Sequence, residues 1–160
     1  MVNIPHWPKI PLWPAPRKID LDLSFQLLEA LGNPHTKLPP TIHVAGTNGK
    51  GSTIAMLKSI FEQAGLKVHR YTSPHLIEFN ERILLAGKPI TDAHLSSVLE
   101  RTRIAAGKLN LEPKFFEGIT AAALLAFSEE KADVLLLETG LGGRLDPTNV
   151  IPNPLLTIIT

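Results

Sequence analysis

Cysteine is absent from all 160 residues, which excludes disulfides and thiolate metal sites and is compatible with a reducing compartment. No apolar run approaches the roughly 18 residues of a membrane-spanning helix. The opening Met1-Val2-Asn3-Ile4-Pro5 lacks the basic-then-apolar layout of a secretory signal. Charge of one sign is missing too: 16 basic and 15 acidic residues leave a net charge of +1. That balance offers no basic field for nucleic acid and no acidic tail. Internal repeats and low-complexity tracts are also missing. These absences predict a soluble, cytoplasmic protein with neither nucleic-acid nor membrane partners. An apolar content of 44% and a charged content of 19% are those of a globular chain. Its length suits one core, burying roughly 70% of the unfolded surface.

Proline, in contrast, is plentiful and uneven: eight of the fourteen fall in the first forty residues. Pro5, Pro8, Pro11, Pro14 and Pro16 are spaced through a stretch that also holds Trp7 and Trp13. Each fixes φ and removes an N–H donor, so the segment is extended or irregular. It reads either as an arm packed onto the domain by its Trp and Ile residues or as a recognition arm for a proline-binding partner. The spacing of Leu27, Leu28 and Leu31 predicts a short helix, stopped at Gly32-Asn33-Pro34. Residues 1–40 are thus an N-terminal arm and helix, and 41–160 the main domain.

Downstream, helices are predicted from about Ser52 to Gln63, Ala93 to Lys108 and Phe115 to Lys131. In the first of these, Ile54, Leu57, Ile60, Phe61 and Ala64 point inward. Apolar runs of strand length occupy Ile42–Ala45, Val68–Tyr71, Val134–Leu137 and Leu155–Ile159, the last read as buried. Gly87-Lys88-Pro89 marks a turn between short extended pieces. Strands that alternate with helices and read as continuous apolar runs predict an α/β fold. Its sheet is mostly parallel and covered by helices on both faces.

The chain is organised around His43-Val44-Ala45-Gly46-Thr47-Asn48-Gly49-Lys50-Gly51-Ser52-Thr53. A strand feeds a glycine-rich turn that opens a helix. Glycines let backbone N–H groups converge, the helix start leaves N–H groups unpaired, and Lys50 adds a point charge: a design for holding phosphate. The general phosphate-loop expression is not met, because Gly51 follows Lys50 and Val44 stands where a glycine is wanted. Lys50 is expected to face solvent when no ligand is bound.

In a parallel sheet, ligands bind beyond the carboxyl ends of the strands. Three loops should meet there: Gly46–Ser52, Thr72–His75 and Glu138–Asn149. Glu138 ends a buried strand, where a carboxylate is costly unless paired or bound to metal. It reads as a Mg²⁺ carboxylate, or as a loop cap, or as the partner of Arg144. Ser73 offers a neutral oxygen suited to a hard cation, or is a plain turn residue. Arg144 holds an anionic group or a loop salt bridge. His75 reads as a turn residue or as a contact to a bound phosphate.

Gly46-Thr47-Asn48-Gly49-Lys50-Gly51-Ser52 resembles the phosphate-loop variant of the Mur-ligase superfamily. Together with Tyr71-Thr72-Ser73-Pro74-His75-Leu76, Phe79-Asn80-Glu81-Arg82-Ile83 and Glu138-Thr139-Gly140-Leu141-Gly142-Gly143-Arg144-Leu145-Asp146-Pro147-Thr148-Asn149, it resembles the folylpolyglutamate synthase/dihydrofolate synthase family. Ile19-Asp20-Leu21 resembles the family's pterin-side segment. Pro147 and Asp22 depart from the small residue and the glycine common there.

The resemblance implies a phosphate-loop domain like the Mur-ligase central domain. It also implies ATP-dependent addition of glutamate to dihydropteroate or a folate through an acyl phosphate. Gly46, Thr47, Asn48, Gly49, Lys50, Gly51 and Ser52 would bind ATP. Ser73 and Glu138 would ligate Mg²⁺, with Lys50 and Glu138 the catalytic pair. Asp20, Leu21, Arg82, Arg144 and Asp146 would face the substrate, and His75, if not a turn residue, would contact the pterin or a phosphate. Relatives continue past this point into a histidine metal ligand, a lysine near the phosphates and a second domain. The chain is therefore expected to be an incomplete N-terminal part, inactive alone, of a monomeric enzyme. Two other readings remain: another Mur-type amino-acid ligase, or a non-catalytic nucleotide-binding module.

Overall fold

The computed structural model describes residues 21–160; the proline-rich arm, Trp7, Trp13 and Asp20 lie outside the described residues. The sheet has six strands in the order β4-β3-β2-β5-β1-β6. These are β1 (Thr41–Ala45), β2 (Val68–Tyr71), β3 (Ile83–Leu85), β4 (Lys88–Pro89), β5 (Val134–Glu138) and β6 (Leu156–Ile159). β2, β5, β1 and β6 run parallel, in a register that sets Val44 beside both Glu138 and Ile158. β3 and β4 add an antiparallel edge. The expected mostly parallel α/β sheet is therefore present.

The helices are α1 (Asp22–Ala30), α2 (Lys50–Gln63), α3 (Asp92–Lys108) and α4 (Phe115–Glu129). Alternation along each strand divides the core into two layers. Ile42, Val44, Val68, Val134 and Leu136 face α2, where they meet Ile54, Leu57 and Phe61. Leu135, Leu137 and Tyr71 face the other way, into the larger core with α1, α3 and α4. From Gly118 to Phe127, α4 is buried without interruption, as its all-round apolar composition predicts. Thr91 caps α3, its hydroxyl accepting the His94 N–H at 3.2 Å.

Three expectations require correction. Ile60 is 62% exposed, and Ala64 is exposed as well. The inward stripe of α2 is Ile54, Leu57 and Phe61; Ile60 lies about 100° round the helix from Phe61 and misses the sheet. The strand over Leu155–Ile159 is not buried: Leu155, Leu156 and Ile159 are 68%, 50% and 82% exposed. β6 is the edge strand, with β1 on one side and no strand on the other among the described residues. α2 also begins at Lys50, two residues earlier than the hydroxyls suggested.

The buried His69 is satisfied structurally. His69 accepts the Ala86 N–H at Nδ1 (3.0 Å), which puts its proton on Nε2, 3.0 Å from the Glu130 carbonyl. Its ring packs 5.0 Å from that of Phe127, and burial lowers its pKa.

Candidate active site

β1, β2 and β5 all end on the same side of the sheet, and the loops leaving them meet there. After β1 the chain turns through Gly46 (φ 144°) and Gly49 (φ 80°). Both conformations favour glycine. A Cβ at Gly46 would also stand 2.6 Å from the Thr160 carbonyl oxygen. Gly49 is the N-cap of α2 and supplies no capping side chain, so the first N–H groups of the helix are uncapped on the side facing the loop. Thr47, Asn48, Gly49, Gly51 and Ser52 are exposed.

Lys50 does not face solvent as expected. Its side chain is 16% exposed, and Nζ donates to the Gly46 carbonyl at 3.0 Å while lying 4.0 Å from Glu138 Oε1. The ammonium folds back across the loop because a nearly buried carboxylate stands beneath it.

Glu138 is 5% exposed. Its Oε2 accepts the Ser73 N–H at 3.0 Å, so the end of β5 and the turn after β2 are joined through this carboxylate. Burial raises the Glu138 pKa, against the opposing pull of the Ser73 N–H, Lys50 and Arg70. The ligand-free native state therefore binds this proton more readily than the unfolded chain does. The stability that this proton contributes is present below the unfolded value of about 4.5 and is lost as pH rises through the native pKa. A cation at the carboxylate offsets this cost. Arg144 is exposed and is not the partner of Glu138.

A pocket of about 890 Å³ adjoins this point. Ser73, Pro74, Arg82, Phe116 and the Gly140–Pro147 loop line it, bringing Arg82, Arg144 and Asp146 together. Leu21 is not among the lining residues; it packs against the larger core. A Cβ at Gly140 would lie 2.5 Å from two ring atoms of Phe116, so this glycine lets the ring close one wall.

Arg82 is 7% exposed yet has no carboxylate partner among the described residues. Its Nε donates to His75 Nδ1 at 2.8 Å, and its guanidinium lies 5.5 Å and 5.6 Å from the ring centres of Phe79 and Phe115. His75, read as a turn residue, thus orients an arginine. Asp146 is 3% exposed, and its carboxylate accepts from Gly140 N, Leu141 N, Thr148 N and Thr148 Oγ1. Those bonds fold its own loop, which accounts for most of its hydrogen-bonding capacity.

Sequence reasoning missed Arg70, Phe116 and the buried His43. Arg70 projects from β2, where its Nη2 donates to the Glu81 carbonyl at 2.9 Å. It adds a second positive charge to the field at Glu138. Its signal was a charge inside a strand read only for its apolar residues. Among the described residues, no group of three or more His, Cys, Asp or Glu side chains could hold a metal, and no helix is long and apolar enough to cross a membrane.

No family model matches the chain. It is 46% identical over 140 residues to the dihydrofolate synthase/folylpolyglutamate synthase of Bacillus subtilis, covering 84% of this chain and 32% of that protein. Escherichia coli FolC, solved with DHPP and ADP, superposes with a TM-score of 0.83 at 35% identity, over 93% of this chain and 35% of FolC. A bifunctional folylpolyglutamate synthase/dihydrofolate synthase solved with Mn, AMPPNP and L-glutamate superposes at 0.82 and 37% identity, over 90% of this chain and 34% of the enzyme. The chain spans about a third of the length of these relatives. By sequence and by fold, the chain matches enzymes of the folylpolyglutamate synthase/dihydrofolate synthase family over about a third of their length.

Proposed function

We propose that these residues form the nucleotide and pterin side of an ATP-dependent ligase that adds glutamate to dihydropteroate or a folate. The observation that carries this reading is the position of Glu138. It is a nearly buried carboxylate set between Lys50 of the glycine-rich loop and Ser73 at the mouth of the pocket. Nucleotide phosphates and an acceptor carboxylate would meet on either side of it. Because the chain spans a third of its relatives, the complete reaction is proposed for the protein at their length. The binding steps are proposed for the residues present here.

The γ-phosphoryl of ATP would pass to the substrate carboxylate, giving an acyl phosphate and ADP. The glutamate amine would then attack the acyl carbon, releasing phosphate and a proton. Such transfers depend on positioning and charge stabilisation. The backbone N–H groups from Gly46 to Ser52 would cradle the phosphates, and Lys50 would exchange the Gly46 carbonyl for a β- or γ-oxygen.

Ser73 and Glu138 fit a Mg²⁺ ion. Both offer hard oxygen ligands, and among the described residues the one ion-pair contact of Glu138 Oε1 is Lys50 at 4.0 Å. Mg²⁺, when bound, would neutralise phosphate charge there. Phe116, Pro74 and Leu145 supply flat apolar walls for a heterocycle, and Arg82 and Arg144 supply cations for carboxylates. We read residues 41–160 as the ATP-binding domain and place the enzyme in the cytoplasm, as a monomer acting on small molecules. The near-zero net charge supports the absence of nucleic-acid and membrane partners.

Calorimetry tests this reading. Dihydropteroate should bind the protein both alone and after saturation with Mg²⁺ and AMPPNP, and neither ligand should displace the other. A muramyl-peptide precursor should not bind. Binding of the muramyl peptide and not of dihydropteroate would move the protein to another Mur-type ligase. Nucleotide binding with neither would leave a nucleotide-binding module.

A further inference from the structure

One file of hydrogen bonds leads from β1 to the wall of the pocket. His43, on β1, is 5% exposed, and its Nε2 lies 2.9 Å from Thr148 Oγ1. Thr148 is fully buried; its hydroxyl donates to Asp146 Oδ1 at 2.5 Å, and its N–H reaches the same oxygen at 3.0 Å. Asp146 Oδ2 then accepts the Gly140 and Leu141 N–H groups at 3.0 Å and 2.8 Å. A hydroxyl has one proton, and that of Thr148 is committed to the carboxylate. His43 must therefore donate, with its proton on Nε2. Burial, opposed by Asp146, lowers the His43 pKa and favours the neutral ring that this requires.

We propose that Thr148 and His43 are positioning residues for the substrate pocket: by orienting Asp146, they fix the Gly140–Pro147 wall on β1. The inference rests on the reading of that pocket as the pterin side of the ligase. Neither residue lines the pocket, so direct contact cannot explain an effect of changing them. Without the Thr148 hydroxyl, Oδ1 keeps one donor of two, the carboxylate can turn, and the two amides bound to Oδ2 lose their anchor. The His43 N–H is left buried and unpaired as well.

The test is Thr148→Val, which removes the hydroxyl at nearly constant shape, compared with Thr148→Ser, which keeps it. The double variant His43→Phe, Thr148→Val replaces both ends with apolar groups. It avoids the orphaned donor and so keeps the fold if the single variant does not. Amide exchange at Gly140 and Leu141 should accelerate about tenfold in Thr148→Val and in the double variant, while Leu136 in β5 stays protected. Dihydropteroate affinity should fall about tenfold in both, the loss expected for one charge-assisted hydrogen bond. AMPPNP affinity should remain within about twofold, since the nucleotide loop is built from other contacts. Thr148→Ser should restore both readouts. Unchanged exchange in the double variant, or an equal loss in Thr148→Ser, would overturn the proposal. If the unmodified protein binds no dihydropteroate, the functional reading falls, and amide exchange alone decides the positioning role.

Discussion

Replacing Lys50 with alanine should weaken the binding of a nucleoside triphosphate by about 10- to 100-fold, the range for losing a charge-assisted hydrogen bond. Lys50 is held ready for this task. Its ammonium bonds the Gly46 carbonyl and stands 4.0 Å from Glu138, so most of its rotational freedom is already gone before any ligand arrives. The variant should have a second consequence. Lys50 is one of the charges that hold the Glu138 pKa down against burial. Removing it should raise that pKa further, and nucleotide affinity in the variant should fall more steeply as pH is lowered than in the unmodified protein. Calorimetric titrations with AMPPNP at a series of pH values check both effects. Unchanged affinity in Lys50→Ala would remove the glycine-rich loop from the nucleotide site.

Gly46→Ala should be the most damaging single-methyl substitution in the loop, costing about 3 kcal/mol of stability from backbone strain and overlap together. Gly46 has φ 144°, a region that side chains rarely adopt, and the new methyl would overlap Thr160 Oγ1 and stand 2.6 Å from the Thr160 carbonyl oxygen. Thr160 also donates its N–H to the Ala45 carbonyl at 3.0 Å, so the clash would disturb the β1–β6 contact as well. Gly51 provides the contrast. It lies in the first turn of α2, and a Cβ there would meet nothing within 4 Å. Gly51→Ala should therefore stabilise the free protein by about 0.5 kcal/mol through reduced unfolded-state entropy. It should still weaken AMPPNP binding if phosphate occupies that open space. Urea unfolding separates the two variants: a large drop in midpoint for Gly46→Ala and none for Gly51→Ala.

The sheet was legible because its strands are short apolar runs bounded by turn residues, and because helical spacing differs from strand spacing in this chain. The loop after β1 was legible for a similar reason: few sequences other than a strand-to-helix phosphate turn need three glycines and a lysine there. The conformations of particular side chains were not legible. Lys50 bends inward because of Glu138, which is 88 residues away in sequence and meets it only through the β1–β5 register. Ile60 fits an inward helical stripe on paper, and its exposure depends on how far the sheet extends beneath α2. The motif around Asp146 predicts a substrate contact; three of the four hydrogen bonds its carboxylate accepts come from backbone amides, whose direction a sequence does not encode. The roles of His75 and His43 were invisible for the same reason, since neither has a neighbour in sequence that suggests its partner.

The central claim is that Glu138 joins the glycine-rich loop to the pocket as a metal carboxylate. The most direct measurement is a titration of AMPPNP into the protein and into Glu138→Gln, with and without Mg²⁺. The unmodified protein should bind the nucleotide about tenfold or more tightly with Mg²⁺ than without it, reflecting one well-placed charged ligand. Glu138→Gln should fold normally, because the amide oxygen can still accept the Ser73 N–H, and its affinity should be almost indifferent to Mg²⁺. An equal Mg²⁺ enhancement in both proteins would show that this carboxylate does not hold the metal and would contradict the account.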